Sequence, residues 1–202
     1  MNIFKFKNIK IENNQIQFEL KDSSMDSFIT AFSDKKNNLL NNYLDQYKAF
    51  EFDHKIDNNK VYINESGKEW VCCSRADGLG FDVLRKLKKS VYILSTEKNL
   101  VVSARAKKLK IPVLQGVDDK VKSIKELVYD NKLDFKKILY VGNDVNDYKA
   151  MQLCGYSICP SDSHALIKSI STLILKSRGG DGVVRELLEN VFNLDLIKIL
   201  YK

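Results

Sequence analysis

From residue 48 onward, short apolar runs alternate with longer segments in which apolar residues recur at helical spacing. Each run is bounded by polar turn residues, so the runs predict strands: KAFEFD, VYILS, PVLQ, KILYVG, YSICP and TLILK. The segments between them predict helices from Gly78 to Lys88, over VVSARAKKL, over KVKSIKELVYD, over DYKAMQLC, near His164 and from Val183. Strands that alternate with helices predict an α/β fold with a parallel sheet and helices on both faces.

The first 46 residues have a different pattern. FKFKNIKIENNQIQFEL alternates apolar and polar residues on both sides of Asn13-Asn14, which predicts a β-hairpin. The segment from SMDSFITAF to NNYLDQY predicts a helix that begins behind caps at Ser23 and Ser24. A second hairpin is predicted in the later part of the chain, from VYIN at residues 61–64 and EWVCC at residues 69–73. We therefore expect a small N-terminal appendage at residues 1–46 and one domain at residues 47–202.

Composition narrows the class of protein. A chain of 202 residues that is 44% hydrophobic can fill one α/β domain with a small appendage. The net charge is +7, but the lysines are interleaved with acids, so we do not expect nucleic-acid binding. No apolar run reaches the roughly 18 residues of a membrane span, and the N-terminus lacks the apolar core of a signal peptide. The four cysteines show neither metal-site spacing nor a disulfide framework, so we expect them to be reduced thiols in a cytoplasmic protein. They are Cys72, Cys73, Cys154 and Cys159.

Polar side chains follow three of the predicted strands. VYILS ends in Ser95, and Thr96 follows it. Asp118, Asp119 and Lys120 come after PVLQ, and Asn143, Asp144, Asn146 and Asp147 come after KILYVG. Active sites of parallel sheets lie at the carboxyl ends of the strands. A hydroxyl and an ammonium group suit phosphate oxygens, whereas carboxylate and carboxamide oxygens suit Mg²⁺. The set predicts a magnesium-dependent phosphoryl-transfer site; the alternative is that Ser95 and Asn143 only cap the helices that follow them.

Five stretches extend this interpretation: SRADGLGFDVLRKL, VYILSTEKN with VVSARAKKL, IPVLQGVDDK, YVGNDVND and RGGDGVVREL. With them, from about Lys48 to Leu194, the chain resembles haloacid-dehalogenase-like (HAD) phosphatases. The branch it resembles removes phosphate from 3-deoxy-octulosonate 8-phosphate and nonulosonate 9-phosphates, and also occurs fused behind acylneuraminate cytidylyltransferases. The resemblance implies a Rossmann-like HAD sheet without a large cap, bound Mg²⁺, an acidic sugar phosphate as substrate and a homotetramer.

The resemblance also implies roles for individual residues. Ser95 would be the phosphate-binding hydroxyl, Lys120 the phosphate-stabilising lysine, and Asn143 with Asp144 the metal-side motif, supported by Asp147. Substrate contacts would come from Arg75, Asp77, Thr96 and Arg185, the last within a glycine-rich tail, residues 178–185, that approaches a neighbouring subunit's site. The nucleotide-binding motif of the cytidylyltransferases does not occur in the first 46 residues, so cytidylyl transfer is not expected.

The first family motif is altered in this chain. Family members have a strand that ends in Asp-x-Asp-Gly-Val-x-Thr, in which the first aspartate attacks phosphorus and the second is the general acid and base. This chain has AFEFDHKIDNNKVY. Without a gap, Glu51 takes the nucleophile's position and Asp53 that of the acid, while His54 and Asp57 replace the glycine and the threonine. Aligned on the strand, Asp53 becomes the nucleophile and a metal ligand, and Lys55 stands in the acid's position.

Neither alignment restores both aspartates. The extra methylene of Glu51 shifts the attacking oxygen by about an ångström, an error that can cost on the order of 100-fold. Loss of a general acid costs about 100- to 10,000-fold. Two functions are therefore expected: a phosphatase with weakened catalysis, or a non-catalytic assembly module associated with nonulosonate and CMP-sugar biosynthesis. His54 and His164 have no matching partner in the sequence and are not expected to be catalytic.

Overall fold

The computed structural model describes residues 6–12, 15–20, 49–52 and 57–202. The chain divides into two compact units, Met1–Asn42 and Tyr43–Lys202. In the first unit, β1 (Phe6–Glu12) and β2 (Gln15–Leu20) pair as an antiparallel hairpin, in agreement with their alternating sequence. The helix predicted over residues 24–47 and the boundary predicted after residue 46 lie outside the described residues, so both stay predictions.

The second unit contains a six-stranded sheet with the order β10-β9-β8-β3-β6-β7, and all its strand pairs are parallel. Its strands are β3 (Ala49–Phe52), β6 (Ser90–Leu94), β7 (Val113–Leu114), β8 (Ile138–Val141), β9 (Tyr156–Cys159) and β10 (Leu173–Ile174). The helices are α1 (Ala76–Lys86), α2 (Val101–Leu109), α3 (Lys120–Asp130), α4 (Tyr148–Leu153), α5 (Ala165–Ile170), α6 (Val183–Glu186) and α7 (Leu196–Tyr201). The predicted parallel α/β fold is confirmed.

The central strand β3 is buried throughout, and its side chains alternate between the two faces of the sheet. On one face, Phe50 meets Phe192 and Phe52 meets Phe81 of α1, edge to face, with ring centroids 6.1 and 5.2 Å apart. On the other face, Ala49 belongs to a buried cluster that includes residues of α3, α4 and α5. Helices therefore cover both faces, which leaves the ends of the strands as the place where polar groups can meet solvent or a ligand.

A separate hairpin is formed by β4 (Asp57–Ile63) and β5 (Glu69–Cys73), in agreement with the sequence pattern. It does not pair with the six-stranded sheet. Several of its large apolar side chains are exposed, among them Ile63 at 63% and Trp70 at 45%. No other large inserted element interrupts residues 57–202.

Some predicted boundaries differ from the structure. The strands β7 and β10 have two residues each, because they lie at the sheet edges and pair on one side only. The last helical region is longer than one helix: a π-helical turn (Leu187–Val191) follows α6, and α7 begins behind Asp195, whose carboxylate accepts from Lys198 N at 2.9 Å. Within the part of the chain that the structure describes, no helix has the length and apolarity that crossing a membrane demands.

Candidate active site

A buried ion pair lies where α3 begins. Lys120 is the first residue of that helix, and its Nζ lies 2.6 Å from Asp147 Oδ1, with the two side chains 2% and 0% exposed. The start of α3 is fixed by Asp119, whose carboxylate accepts from Val121 N at 2.8 Å and Lys122 N at 3.1 Å. This cap holds Lys120 in place, so its ammonium group is presented from a rigid helix rather than from a loop.

Asp147 receives three further hydrogen bonds. Tyr140 Oη donates to Oδ1 at 2.9 Å, and the backbone N–H groups of Asn143 and Asp144 donate to Oδ2 at 2.9 and 3.2 Å. Gly142 lies against the same carboxylate, since a Cβ at this position would come within 2.8 Å of Asp147 Cβ and Cγ. The loop after β8 is therefore wound around one buried carboxylate, which also holds the lysine.

Asn143 and Asp144 offer oxygen ligands at this loop. Asn143 is 6% exposed, and its Oδ1 is buried without a hydrogen-bond partner among the described residues. Asp144 is exposed, and one of its oxygens accepts from Val145 N at 2.8 Å. An unpaired buried carboxamide oxygen beside a carboxylate suits a hard cation such as Mg²⁺. The described residues contain no group of three or more His, Cys, Asp or Glu that could hold a metal.

Ser95 and Thr96 follow β6 and connect to the same loop. Ser95 is fully buried, and its Oγ accepts from Glu97 N at 3.1 Å. Thr96 Oγ1 accepts from Asn146 Nδ2 at 3.2 Å, which joins the end of β6 to the loop after β8. The structure therefore brings Ser95, Thr96, Lys120, Asn143 and Asp144 to one edge of the sheet through direct or shared contacts.

Glu51 lies inside β3 rather than at its end. It is 2% exposed, and its Oε1 accepts from Leu94 N at 3.0 Å. Its sheet partner Tyr92 precedes Ser95 by three residues, which corresponds to about 10 Å along a strand. Burial raises the pKa of the Cys154 thiol, and the charge of Glu51 adds to this shift. Asp53 and His54 lie outside the described residues.

Asp77 and Arg185 meet elsewhere in the domain. Asp77 Oδ1 accepts from Val184 N at 2.8 Å and from Arg185 N at 3.2 Å, and the side chain is fully buried. Burial raises the pKa of Asp77, while those backbone hydrogen bonds act in the opposite direction. The guanidinium of Arg185 pairs with Glu189, and Arg75 is exposed just before α1. No hydrogen bond or ion pair between described residues joins these three to Lys120, and their predicted substrate contacts stay predictions.

The glycine-rich tail is anchored within its own chain. Asp162 accepts from Gly179 N at 2.9 Å, and Glu186 accepts from Lys176 N at 2.8 Å and Ser177 N at 2.6 Å. These anchors and the bond from Tyr140 to Asp147 were not predicted from the sequence. A hydroxyl in the otherwise apolar run ILYV was the available signal for Tyr140, because a buried hydroxyl needs a partner.

The sequence of residues 2–187 matches the family model for haloacid dehalogenase-like hydrolases. The chain therefore belongs to the haloacid dehalogenase-like hydrolase family. It is 30% identical over 142 residues to N-acylneuraminate cytidylyltransferase A of Danio rerio, a match that covers 69% of this chain and 33% of the relative. It is 26% identical over 140 residues to the 3-deoxy-D-manno-octulosonate 8-phosphate phosphatase of Yersinia pestis, covering 69% of this chain and 75% of that enzyme.

Solved structures agree with this assignment. A HAD family hydrolase of Streptomyces avermitilis has a TM-score of 0.73 and 36% identity, covering 75% of this chain and 88% of that one. The 3-deoxy-D-manno-octulosonate 8-phosphate phosphatase of Moraxella catarrhalis, solved with magnesium, phosphate and KDO, has a TM-score of 0.71 and 26% identity, covering 80% and 92%. The chain spans about a third of the length of the cytidylyltransferase that it matches.

Proposed function

We propose that this protein is a magnesium-dependent phosphatase for phosphate esters of acidic sugars, such as nonulosonate 9-phosphate or octulosonate 8-phosphate, and that its turnover is slow. The observation that carries the proposal is the buried pair of Lys120 and Asp147 beside Asn143 and Asp144. A lysine ammonium has three N–H donors, so Lys120 can bind Asp147 and still donate to a phosphoryl oxygen. The buried Oδ1 of Asn143 has no hydrogen-bond partner among the described residues. An ion pair whose role was only to stabilise the core would not require such an oxygen beside it.

The phosphoryl group would be bound by Ser95 and Lys120. Mg²⁺ would be held by Asn143, Asp144 and Asp53, and when bound it would neutralise charge on the phosphoryl oxygens. Asn143 Oδ1 and the exposed carboxylate of Asp144 are suitable ligands because both are hard oxygen donors. The orienting residues would be Asp147, which fixes Lys120, and Thr96, which fixes the loop through Asn146.

We propose that Asp53, rather than Glu51, is the attacking carboxylate. Glu51 is buried within β3, binds Leu94 N and lies about 10 Å short of Ser95 along the strand direction. Asp53 follows Phe52, the residue at which β3 ends. With Asp53 in that role, Lys55 stands where the family has its general acid, and a cost of about 100- to 10,000-fold in turnover is expected.

The names of the relatives support the proposed substrate class. The phosphatases of Yersinia pestis and Moraxella catarrhalis are named for 3-deoxy-D-manno-octulosonate 8-phosphate, and the Danio rerio protein is named for N-acylneuraminate. All three names denote acidic sugars, which supports an acidic sugar phosphate for this chain.

The test is release of inorganic phosphate from both sugar phosphates, measured with Mg²⁺ and with excess EDTA. We expect slow, magnesium-dependent release that Asp53→Asn abolishes and that Lys122→Met, a change on the exposed side of α3, leaves intact. If Glu51 is the nucleophile instead, Glu51→Asp with His54→Gly should raise turnover, because these changes restore the family's geometry. Release that persists in Asp53→Asn would contradict the proposed role of Asp53.

A second candidate function, a non-catalytic assembly module, is favoured by the first motif, AFEFDHKIDNNKVY, which lacks one of the family's two aspartates in either alignment. The exposed apolar hairpin would serve assembly in both cases. Tyr62, Ile63 and Trp70 are each about half exposed or more, and exposed apolar patches on soluble domains are often covered by a partner. We propose a homotetramer built through this hairpin in either functional case. Light scattering should give a tetramer for the wild type and a smaller species for Trp70→Glu; a wild-type monomer would contradict the assembly. A cytoplasmic location stays a prediction.

A further inference from the structure

A cavity of about 610 Å³ opens beside Lys120, between the loops that follow β6, β7 and β8. Its volume lies within the range of small-molecule sites, roughly 300–1,000 Å³. Lys120, Thr96, Asn146 and Lys149 are among the residues that line it. A sugar phosphate whose phosphoryl group reached Lys120 would therefore place its sugar among these residues.

Three of the four charged side chains that line this cavity have partners within the chain. Asp119 caps α3, Lys120 binds Asp147, and Asp118 faces Lys98 at 4.0 Å. Lys149 is exposed, and among the described residues no hydrogen-bond or ion-pair partner meets its ammonium group. The cavity thus offers one cation that internal contacts leave available to a ligand.

The surroundings of Lys149 are partly apolar. Val145 and Leu166, which also line the cavity, are 54% and 44% exposed. Carbon chains and acyl groups pack against such side chains, while a carboxylate needs a cation or several N–H donors. The combination suits a ligand with a carbon backbone and a single carboxylate.

We propose that Lys149 binds the carboxylate of the sugar and so selects acidic over neutral sugar phosphates. The inference rests on the proposed function and adds a specificity-determining residue to it. Lys120 would bind the phosphate end of the ligand and Lys149 the carboxylate end. Selection would operate at binding, because Lys149 takes no part in bond making or breaking.

The test is isothermal titration calorimetry on the full chain with Mg²⁺. Two probes are compared: 3-deoxy-D-manno-octulosonate 8-phosphate, which carries a carboxylate, and mannose 6-phosphate, which does not. Lys149→Gln should weaken binding of the first probe by roughly 10- to 100-fold, the range of a hydrogen bond to a charged group. Binding of the second probe should change less than about twofold, and Lys149→Arg should retain most of the preference because it keeps the charge.

The control is Lys125→Gln, another exposed lysine that lies on α3 and does not line the cavity. Equal weakening of both probes by Lys149→Gln, or weakening of neither, overturns the inference. A wild type that binds both probes alike overturns it too, but leaves the phosphatase proposal standing. Selective binding without phosphate release overturns the proposed turnover and leaves the role of Lys149 intact. If neither probe binds, both the proposed substrate class and this inference fail.

Discussion

Replacing Lys120 by methionine removes the positive charge that faces Asp147 inside the domain. Methionine has a similar length and no charge, so the change isolates the ion pair from the packing of the side chain. The carboxylate of Asp147 would keep its bonds from Tyr140, Asn143 and Asp144, but this buried charge would lose the ammonium group that lies 2.6 Å from it. We therefore expect a loss of stability in addition to any loss of phosphate binding.

The size of the loss follows from the geometry. Unit charges 2.6 Å apart attract by about 6 kcal/mol at an effective dielectric constant of about 20. Part of that attraction repays the desolvation of both groups, and breaking a buried pair typically costs about 3–5 kcal/mol. For a domain of this size, that is a decrease in Tm of roughly 6–20 °C.

Urea unfolding followed by circular dichroism measures the change in the free energy of unfolding. Lys122→Met is the matched control, since that lysine lies on the same helix with its side chain 73% exposed, and its loss should change stability by less than about 0.5 kcal/mol. In Lys120→Met with Asp147→Asn, the cost should be at least about 1 kcal/mol less than the sum of the single changes. A cost for Lys120→Met below about 1 kcal/mol would refute the argument that this pair is structurally required.

Two further predictions concern the packing of α1 against the C-terminal segment. Gly80→Ala should lower the free energy of unfolding by about 1–3 kcal/mol, because the new Cβ would lie 2.8 Å from Cγ1 of the stiff Val184 side chain. The control is Gly78→Ala, where the nearest atom to the new Cβ is Leu109 Cδ2 at 3.6 Å, so this change should be neutral or up to about 1 kcal/mol stabilising. Equal effects of the two changes in urea unfolding would contradict the expected clash. The second prediction concerns pH. Burial raises the pKa of Asp77 above its ordinary value of 3.8, so the folded state binds this proton more tightly than the unfolded state does. The free energy of unfolding of the wild type should therefore fall as the pH rises from about 3.8 through the raised pKa. Asp77→Asn cannot titrate, so its stability relative to wild type should increase across that window and then level off, and a difference that is flat with pH would count against the shift.

The sequence predicted the sheet, most of its helices and the polar residues at the strand ends, because strand and helix periodicities are local signals. Asp147 was assigned only a supporting role. Its bonds to Lys120 and Tyr140 join residues that are distant in the chain or hidden in an apolar strand, and periodicity carries no record of such partners. The anchoring of the tail by Asp162 was missed for the same reason. The position of Glu51 depends on the register of β3 against β6, which the sequence left open between two alignments.

The double use of Asp147 affects how this domain changes over evolution. One carboxylate fixes both the lysine proposed to bind phosphate and the loop proposed to bind metal, so most substitutions at either place also weaken folding. Purifying selection for a folded subunit would retain Lys120, Asn143 and Asp147 in a lineage that no longer needed turnover. In such a lineage, a retained pair of Lys120 and Asp147 would record the need to fold, and only residues outside this network would record the loss of turnover.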